Sequence, residues 1–568
     1  MSSGRVRMIR RFGRTRIGAA VAAVTVMLLA GCAAIPDAGT VRQGLQSDSN
    51  SAVQLDYDIL ARGPQGGETQ AQILQGFLAA AASPQLDYRI AREFLSPDFS
   101  KDWKPDSGAS VDQAGQRTTT VTGDTTIALR IKPIATVSDE GVYSASAPNA
   151  VETRNYQFTQ LGGQWRISSA PQGIVLDQPT FGIVFGVYGL EFFSPDGNYL
   201  VPDVRWFARR ETTQTAIVRA LLAGPSAWLA PGVVNAVPSG ASLAADTVPV
   251  NREAATVNLA LDTVPTMDTL SRIQTQLTSS LSGVSGISTV NIEVNGTAEN
   301  VPIQQPIPIQ TPRVDIRPAV LTANGFGNLS TVSWQLESES SLSSALSSLK
   351  PSSVSLGING QPAAALASDG IYRVTGGSTS QLWAGSGWAA PTIDPAGGIW
   401  ATRNSNTVSW QPQAGAARNF STAWGSATVS AISMSRDGTR LAATLQTGTD
   451  LRVVVSAVLR GSDGTPSGLG PPLLVTEGSG AAQSLSWVDP THLSMLSTDS
   501  GGTVTTMTIG GQSTTVAAPS GAIALVAGNG VRELWILTES GELLQVSGLS
   551  WQSRASGVLT LAQQLGVR

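Results

Sequence analysis

Apolar side chains recur at helical spacing at the start of the first region that we expect to fold, residues 68–177. This spacing predicts one helix over 73–81 and a second over 88–95. Pro84 separates the two helices, and Pro97 ends the second one. Short apolar runs then predict strands over 118–121, 126–131, 142–145, 156–159 and 165–168. Helices followed by a run of strands predict an α+β domain.

Helical spacing returns in a second region, residues 196–300. The segments 213–223 and 267–281 each place their apolar residues on or near one face. Gly224-Pro225 ends the first of these helices. Strands are predicted over 247–250, 255–259 and 290–294. This region is therefore also predicted to be an α+β domain.

From residue 310 to residue 568 the pattern changes to short strands separated by Asp- and Gly-containing turns. The outline of strand, turn and strand recurs over 393–401, 434–442 and 486–494. A repeat of about 40 to 50 residues is typical of a β-propeller blade. We predict an all-β propeller of about five or six blades without an internal helix, closed by a strand over 331–336 that pairs with the final blade. Stacked β-sandwiches are the alternative.

The first 32 residues have the pattern of an export signal. Six Arg and no acidic residue precede an apolar run over 17–30, which is shorter than the roughly 20 residues of a spanning helix. Leu29-Ala30-Gly31-Cys32 resembles the lipobox of bacterial lipoprotein signals. We therefore predict a signal peptide over 1–31, acylation of Cys32 with a chain such as palmitate, and a polar tether over 32–67.

Composition and charge narrow the possible functions. The chain has one Cys and one His, so it can form neither an internal disulfide nor a Cys/His zinc site. Removal of the predicted signal peptide would leave 30 basic and 40 acidic side chains, a formal charge of −10. An acidic chain is not attracted to nucleic acid. We predict no metal, no cofactor and no nucleic-acid partner, and we assign membrane attachment to the lipid on Cys32.

Candidate catalytic residues are few. Asp394, Asp437 and Asp489 occupy the same place in the repeat, where Asp starts a tight turn by accepting backbone hydrogen bonds. We predict that turn role for all three, a surface position for His492 in the same kind of turn, and no catalytic residue. Five Trp recur at blade-like spacing and are predicted to pack in the core, with a glycan groove as the alternative: Trp383, Trp400, Trp410, Trp487 and Trp535.

Two known domain types resemble the N-terminal half of the chain. Blocks at 220–225, 237–240, 255–259 and 276–296 resemble, in the same order, the GerMN domain of spore-formation and germination proteins. Two helices followed by a curved antiparallel sheet resemble the order of an NTF2-like domain, and any other small α+β fold stays equally open for residues 68–177. The predicted fold class is therefore multidomain, with two α+β domains (NTF2-like and GerMN-like) followed by the propeller.

Taken together, this order of domains resembles the actinobacterial LpqB lipoprotein family over essentially the whole chain. The segments 35–39, 73–78 and 91–95 are similar to family sequence. The resemblance implies a non-enzymatic lipoprotein on the extracytoplasmic face of the cell membrane. It also implies binding to the extracytoplasmic domain of an Mtr-type sensor histidine kinase, in a two-component system that controls cell-wall metabolism and division. The family supplies no catalytic residues, so Cys32 is the one site residue that it implies.

Two classes of function follow from these observations. In the first, the protein is a binding and signalling accessory without an active site. In the second, the propeller binds or hydrolyses a cell-wall glycan. Two carboxylates about 5–10 Å apart in an axial pocket would favour hydrolysis, and an exposed apolar patch of more than a few hundred Å² would favour a protein partner.

Overall fold

The structure, a computed structural model, describes residues 61–147, 149–461, 463–498 and 501–566. The predicted signal peptide, Cys32 and the predicted tether up to residue 60 lie outside these residues. The described residues belong to one compact unit that includes all three regions expected to fold. Among the described helices, none is both long enough and apolar enough to cross a bilayer.

The N-terminal region is an α+β domain in which helices pack against four-stranded sheets. Its helices are α1 (Gln70–Ala80), α2 (Gln85–Arg92), α3 (Pro97–Asp102) and α4 (Gln178–Val184), with a 3-10 turn at Pro105–Ser107. Its strands are β1 (Gly108–Asp112), β2 (Thr118–Gly123), β3 (Thr126–Ile131), β4 (Pro133–Ser138), β5 (Tyr143–Ala145), β6 (Glu152–Leu161), β7 (Gln164–Ser169) and β8 (Ile174–Asp177). The strand orders are β5-β4-β1-β8 and β2-β3-β6-β7. The prediction of an α+β domain is therefore confirmed.

Two details of this domain differ from the sequence prediction. The strands form two sheets instead of one antiparallel sheet, and β1 pairs with β8 in parallel. The second helix ends at Arg92, three residues before the predicted end. Leu95 instead forms an isolated β-bridge with Ile167, and Ser96 caps α3 by accepting a hydrogen bond from the Phe99 amide. Because Leu95 pairs with Ile167, the helix ends before residue 95.

The second α+β domain contains both predicted helices at their predicted bounds. Its helices are α5 (Thr213–Ala223) and α6 (Met267–Leu281), with a 3-10 turn at Ala230–Gly232. Its strands are β9 (Phe185–Phe193), β10 (Leu200–Ala208), β11 (Ser242–Leu243), β12 (Val250–Asn251), β13 (Ala254–Ala260), β14 (Thr289–Val294) and β15 (Thr297–Ala298). On α6 the side chains of Leu270, Ile273, Leu277 and Leu281 are wholly buried, and the helix connects the parallel strands β13 and β14. The hairpin β9–β10 was not predicted, and residue 196 lies in its turn.

The C-terminal region is a β-propeller with a helix, α7 (Ser340–Leu349). Its strands are β16 (Ala319–Thr322), β17 (Gly325–Leu329), β18 (Leu336–Ser338), β19 (Ser353–Ile358), β20 (Ala363–Ala367), β21 (Gly370–Thr375), β22 (Ser378–Ala384), β23 (Thr392–Ile393), β24 (Ile399–Asn404), β25 (Thr407–Gln411), β26 (Arg418–Ser421), β27 (Thr428–Met434), β28 (Arg440–Thr447), β29 (Asp450–Arg460), β30 (Pro466–Ser479), β31 (Ala482–Asp489), β32 (His492–Ser497), β33 (Thr503–Thr508), β34 (Ser513–Ala517), β35 (Ala522–Ala527), β36 (Leu534–Thr538), β37 (Leu543–Ser547), β38 (Ser550–Ala555) and β39 (Val558–Gly566).

The described strands of this region form six four-stranded blades. Blade 1 combines β39 with β16–β18, and blades 2 to 6 are β19–β22, β23–β26, β27–β30, β31–β34 and β35–β38. A hydrophobic cluster lies between each pair of neighbouring blades. Trp400, Trp410, Trp487 and Trp535 are buried in these clusters, and Trp383 packs against one of them. The predicted core role of these side chains is confirmed.

Closure of the ring differs from the prediction. The segment 331–336 is mostly a turn, and it does not pair with the final blade. Instead, β39 pairs antiparallel with β16 and parallel with β19, so that Ala562 lies opposite both Ala319 and Val354. The last strand of the propeller, β39, therefore completes the blade that its first strands, β16–β18, begin. The expectation of no helix in this region was also wrong, since α7 buries Leu342 and Leu346 against it.

Hydroxyl groups on the inner strands connect neighbouring blades. Thr560 donates to the Pro351 carbonyl, Ser355 donates to the Pro391 carbonyl, and Thr392 accepts from the Met434 amide, at 2.7, 2.8 and 3.0 Å. One further bond, from Gln563 of β39 to Ser433 of β27 at 2.8 Å, joins strands on opposite sides of the ring. The Gln563 side chain therefore crosses the axis of the propeller at the level of Ser433.

Candidate functional site

The repeat carboxylates lie in turns on one face of the propeller, and Asp394 is the most completely enclosed of them. One oxygen of Asp394 accepts hydrogen bonds from the Ala396 and Gly398 amides at 3.0 and 2.9 Å. The other oxygen accepts from the indole groups of Trp400 and Trp410 at 2.9 and 3.1 Å. Four donors on a buried carboxylate leave no oxygen free for a substrate. Asp394 thus holds its turn and fixes two core Trp.

Asp437 forms a buried ion pair in the corresponding turn of blade 4. Its carboxylate lies 2.6 Å from the Arg440 guanidinium and also accepts from Ser435 and Thr439. Burial works against the charged form, but the charge of Arg440 and these hydrogen bonds hold the pKa of Asp437 below its usual value. Arg440 also lies over the Trp487 ring at 4.8 Å. This arrangement keeps Asp437 ionised and unsuited to donate a proton.

Asp489 and His492 pair within the third of these turns. His492 Nδ1 lies 2.9 Å from both carboxylate oxygens, and the amides of Thr491 and His492 bond to one of them. Burial opposes ionisation, yet the hydrogen bonds from His492 and Thr491 lower the pKa of Asp489. His492 is half-buried, so it is less open to solvent than the surface position predicted for it. Its main contact is with a turn carboxylate.

The GerMN-like region is fixed to both of its neighbours. Arg205 is fully buried, pairs with Asp203 at 2.7 Å and donates to the Glu140 carbonyl of the N-terminal domain at 2.9 Å. On the propeller side, the Trp206 indole donates to the Gly510 carbonyl at 3.0 Å. These contacts come from neighbouring positions on β10, which therefore lies at the junction of all three domains.

The connection from the GerMN-like region to the propeller is held by Arg436. Its guanidinium donates to the carbonyls of Trp487 and Gly528, in blades 5 and 6, and contacts the carbonyl of Pro312 in the connection. Burial lowers the pKa of Arg436 to about 10, so the side chain stays charged at neutral pH. Sequence analysis recognised this position only as part of a turn, because its partners are distant along the chain.

A buried carboxyl, Glu191 of β9, lies beside the same connection. Its Oε1 accepts a hydrogen bond from Gln310 at 3.1 Å, and its Oε2 has no hydrogen-bond partner among the described residues. Burial raises the pKa of Glu191 to about 7; Gln310 and Arg440 oppose this rise, and Asp437 adds to it. The group is therefore partly protonated near neutral pH.

This raised pKa predicts a pH-dependent stability. The folded protein holds the Glu191 proton more tightly than the unfolded chain, so the contribution of Glu191 to stability is fully present below pH 4.5 and is lost as the pH rises through about 7. The fall is at most about 1.4 kcal/mol per pH unit. Glu191→Gln should remove it and raise the melting temperature at pH 8, measured by circular dichroism. The exposed Glu211→Gln variant is the control and should melt like the native protein at every pH.

A cavity of about 380 Å³ lies between the GerMN-like region and blades 3 and 4. The β9–β10 turn contributes Asp196 and Tyr199 to its walls. Blade 3 contributes the turn at 395–398 together with Trp410 and Gln413, and the β29–β30 turn contributes Arg460 and residues 463–466. Asp437 also lines the cavity, whereas Asp394, Asp489 and His492 are not among its lining residues.

Local patterns could not have located this cavity, because its walls come from three segments far apart in sequence. Tyr199, Arg460 and Asp463 were not singled out, whereas the Asp394 and Asp437 turns and Trp410 were recognised as features. Within the described ranges no group of three His, Cys, Asp or Glu side chains could hold a metal ion.

Comparisons with known proteins match the three regions separately. Residues 63–182 match the N-terminal domain of lipoprotein LpqB, 190–300 match the domain named for sporulation and spore germination, and 332–560 match the lipoprotein LpqB beta-propeller domain. Lipoprotein LpqB of Streptomyces coelicolor is 31% identical over 283 residues, covering 43% of this chain and 45% of that protein. Lipoprotein LpqB of Cutibacterium acnes is 28% identical over 286 residues, covering 50% and 47%.

Among solved structures, virginiamycin B lyase from Staphylococcus aureus aligns with 43% of this chain and 87% of its own, at 15% identity and a TM-score of 0.29. A streptogramin B lyase structure aligns at 12% identity and a TM-score of 0.30. Nothing about chemistry follows from likenesses this distant.

The fold and its junction define a class of protein in which an α+β domain and a GerMN domain are fixed against a β-propeller. Two LpqB models together match most of the chain, and the relatives named above are all LpqB lipoproteins from actinobacteria. The chain belongs to the LpqB lipoprotein family. Its matches span about half the length of these curated relatives.

Proposed function

We propose that this protein is a binding and signalling accessory, lipid-anchored on the extracytoplasmic face of the cell membrane. Its proposed partner is the extracytoplasmic domain of an Mtr-type sensor histidine kinase that controls cell-wall metabolism and division. Family membership supports a lipoprotein, and the kinase comes from the family resemblance stated above. The structural observation that carries the proposal is the junction, where β10 and Arg436 fix three domains as one body.

Rigidity matters because a binding platform loses less conformational entropy when its surfaces are already fixed in place. Separating the N-terminal domain from β10 would remove the bond between the buried Arg205 guanidinium and the Glu140 carbonyl, at a cost of about 1.5–3 kcal/mol, so the domains do not separate readily. A kinase domain that contacts two of the domains at once would find them in one constant arrangement.

The same geometry supports a non-enzymatic role. Asp394 has its oxygens occupied by four donors, and Asp437 has a lowered pKa because of Arg440. Glu191 has the raised pKa that a general acid needs, but it is buried against Gln310 and is not among the residues that line the cavity. Hydrolysis of a glycan, the second function considered, would need a free acid and base beside the substrate.

Substitution of the single histidine tests the non-enzymatic role. His492→Ala should leave complementation of a deletion strain unchanged and lower stability by about 1 kcal/mol or less, because a partly exposed hydrogen bond to Asp489 is lost. Asp489→Ala should lower the melting temperature more, since it removes the acceptor of two turn amides. Loss of complementation by a stably folded His492→Ala protein would contradict the proposal.

The partner is tested with the full-length lipoprotein in nanodiscs and the purified extracytoplasmic domain of the kinase. We expect saturable binding by biolayer interferometry, and co-purification of the two proteins from native membranes. Empty nanodiscs and an unrelated lipoprotein are the controls. Binding no stronger than that of the controls would overturn the partner assignment.

A further inference from the structure

The junction cavity has the walls of a site for a small polar ligand. Its volume of about 380 Å³ lies within the roughly 300–1,000 Å³ typical of small-molecule sites. Tyr199 and Trp410 supply aromatic surface, and four prolines supply stiff apolar surface: Pro195, Pro395, Pro412 and Pro466. Carboxylate, amide, guanidinium and hydroxyl groups are distributed among them, on Asp463, Gln413, Arg460 and Thr439.

The walls are held rigidly by contacts that do not involve a ligand. Arg460 donates to the Gly438 and Gly464 carbonyls, both at 2.9 Å, and its guanidinium lies 3.8 Å from the Asp394 carboxylate. A Cβ atom on Gly438 would lie 2.5 Å from the ring of Pro395. The turns of blades 3 and 4 are therefore packed against each other and keep the cavity open in one shape, which favours binding by preorganisation.

The charge of the lining selects the kind of ligand. Asp437 is already paired with Arg440, and Arg460 is paired with Asp394, so these charges are largely compensated. The carboxylates without an ion-pair partner are Asp196 and Asp463. Thr465 donates one hydrogen bond to each oxygen of Asp463 and holds the pKa of Asp463 below its usual value, and each oxygen keeps a second lone pair for a ligand donor. A phosphate or carboxylate ligand would be repelled by these groups. A ligand that donates many hydrogen bonds would be favoured, since ionised carboxylates only accept them.

A metal ion is not the favoured ligand. No cluster of three acidic or imidazole groups exists among the described residues, and Asp196 already accepts bonds from Ser194 and Asn198. Apolar and aromatic walls combined with scattered acceptors suit a molecule that has both hydroxyl groups and C–H faces. Those are the properties of a sugar ring.

We propose that the cavity between the β9–β10 turn and blades 3 and 4 binds a neutral, hydroxyl-rich saccharide. The site lies at the junction of the GerMN-like region with blades 3 and 4, and it would bind one or two sugar units of an envelope glycan without cleaving them. This inference goes beyond the kinase contact and does not depend on it, since a saccharide site at the junction can exist with or without that partner.

The test uses the full-length lipoprotein in nanodiscs, because alkyl-glycoside detergents would compete for the site. The probes are the N-acetylglucosamine disaccharide and short galactose and arabinose oligomers, with glucuronic acid as the anionic comparison. Isothermal titration calorimetry should show saturable binding of at least one neutral probe and markedly weaker binding of glucuronic acid. Absence of binding by every neutral probe, or equal binding of the acid, would overturn the proposal.

Two variants locate the binding in the cavity. Ala396 is exposed and lines the cavity, so Ala396→Trp should fill the space and abolish binding, whereas Ala245→Trp, an exposed position of the GerMN-like region, should bind like the native protein. Asp463→Ala should weaken binding roughly three- to tenfold, the loss expected for one hydrogen bond. Melting temperatures check that each variant is folded.

Undiminished binding by folded Ala396→Trp or Asp463→Ala would place the saccharide elsewhere and refute the site. Kinase binding by Ala396→Trp is measured separately, so that a failure of the saccharide site can be told apart from a failure of the partner assignment.

Discussion

Truncation of the chain at residue 557 will unfold the whole propeller, not only its last blade. The deleted strand β39 is the inner strand of blade 1 and pairs with both β16 and β19. Its Leu561 and Ala562 are buried, and its Gln563 bonds across the ring to Ser433. Without β39, the sheet that joins blades 1 and 2 separates, and two buried strands acquire unpaired edges.

The measurement is thermal unfolding followed by near- and far-ultraviolet circular dichroism, with limited proteolysis as a second readout. We expect the truncated protein to lose the cooperative transition of the propeller, to aggregate and to be digested throughout 319–557. The N-terminal domain has its own core and should yield a protected fragment. A chain ending at Gly566 is the matched control and should melt like the native protein. Independent melting of the remaining blades would contradict the closure described here.

Helices α5 and α6 could be predicted to the residue, because their apolar positions form a stripe that one neighbouring surface buries. On α6 the side chains of Leu270, Ile273 and Leu277 are all wholly buried. The helix α7 shows the same spacing at Leu342, Ala345 and Leu346. It was missed because its other positions are mostly Ser, which has weak helix propensity, so its stability comes from packing on blades 1 and 2.

The hairpin β9–β10 was missed because its strands are buried too completely to show a pattern. Most of its residues are buried on both faces, between α6 on one side and the neighbouring domains on the other, so it shows no alternation of polar and apolar positions. A short continuous apolar run is compatible with either a strand or a buried helix segment. The strand partners of β39 were equally inaccessible, since pairing across more than 200 residues leaves no local pattern.

The candidate site could be predicted in part. The turn role of Asp394, Asp437 and Asp489 follows from the residue type and its Gly or Pro neighbour, and the hydrogen bonds of all three agree with it. The buried pairing of Asp437 with Arg440 and the cavity beside it depend on how three distant segments meet. Charge and composition could exclude classes of chemistry, but they could not place Tyr199 opposite the turns of the propeller.

Cys32→Ser will abolish acylation and leave the protein either released from the membrane or as the unprocessed precursor. The predicted signal peptide ends at residue 31, and Cys32 is the only thiol of the chain, so no other side chain can carry a thioether-linked lipid. Each buried CH₂ of an acyl chain contributes about 0.8 kcal/mol to membrane binding, and stable attachment takes two chains. The acidic predicted mature chain gains nothing from anionic lipids, because basic segments are the ones that those lipids attract.

The measurement is membrane fractionation after labelling with a palmitate analogue. Native protein should be labelled and sediment with the membranes, whereas Cys32→Ser should lose the label and be recovered in the soluble fraction or as the unprocessed precursor. Ser47→Ala, in the predicted tether, is the matched control and should keep both the label and the membrane location. Cys32 precedes the three described domains in the sequence, so the released protein should keep the melting temperature of those domains. Labelling that persists in Cys32→Ser would show that the lipid is attached elsewhere and that the lipobox was misassigned.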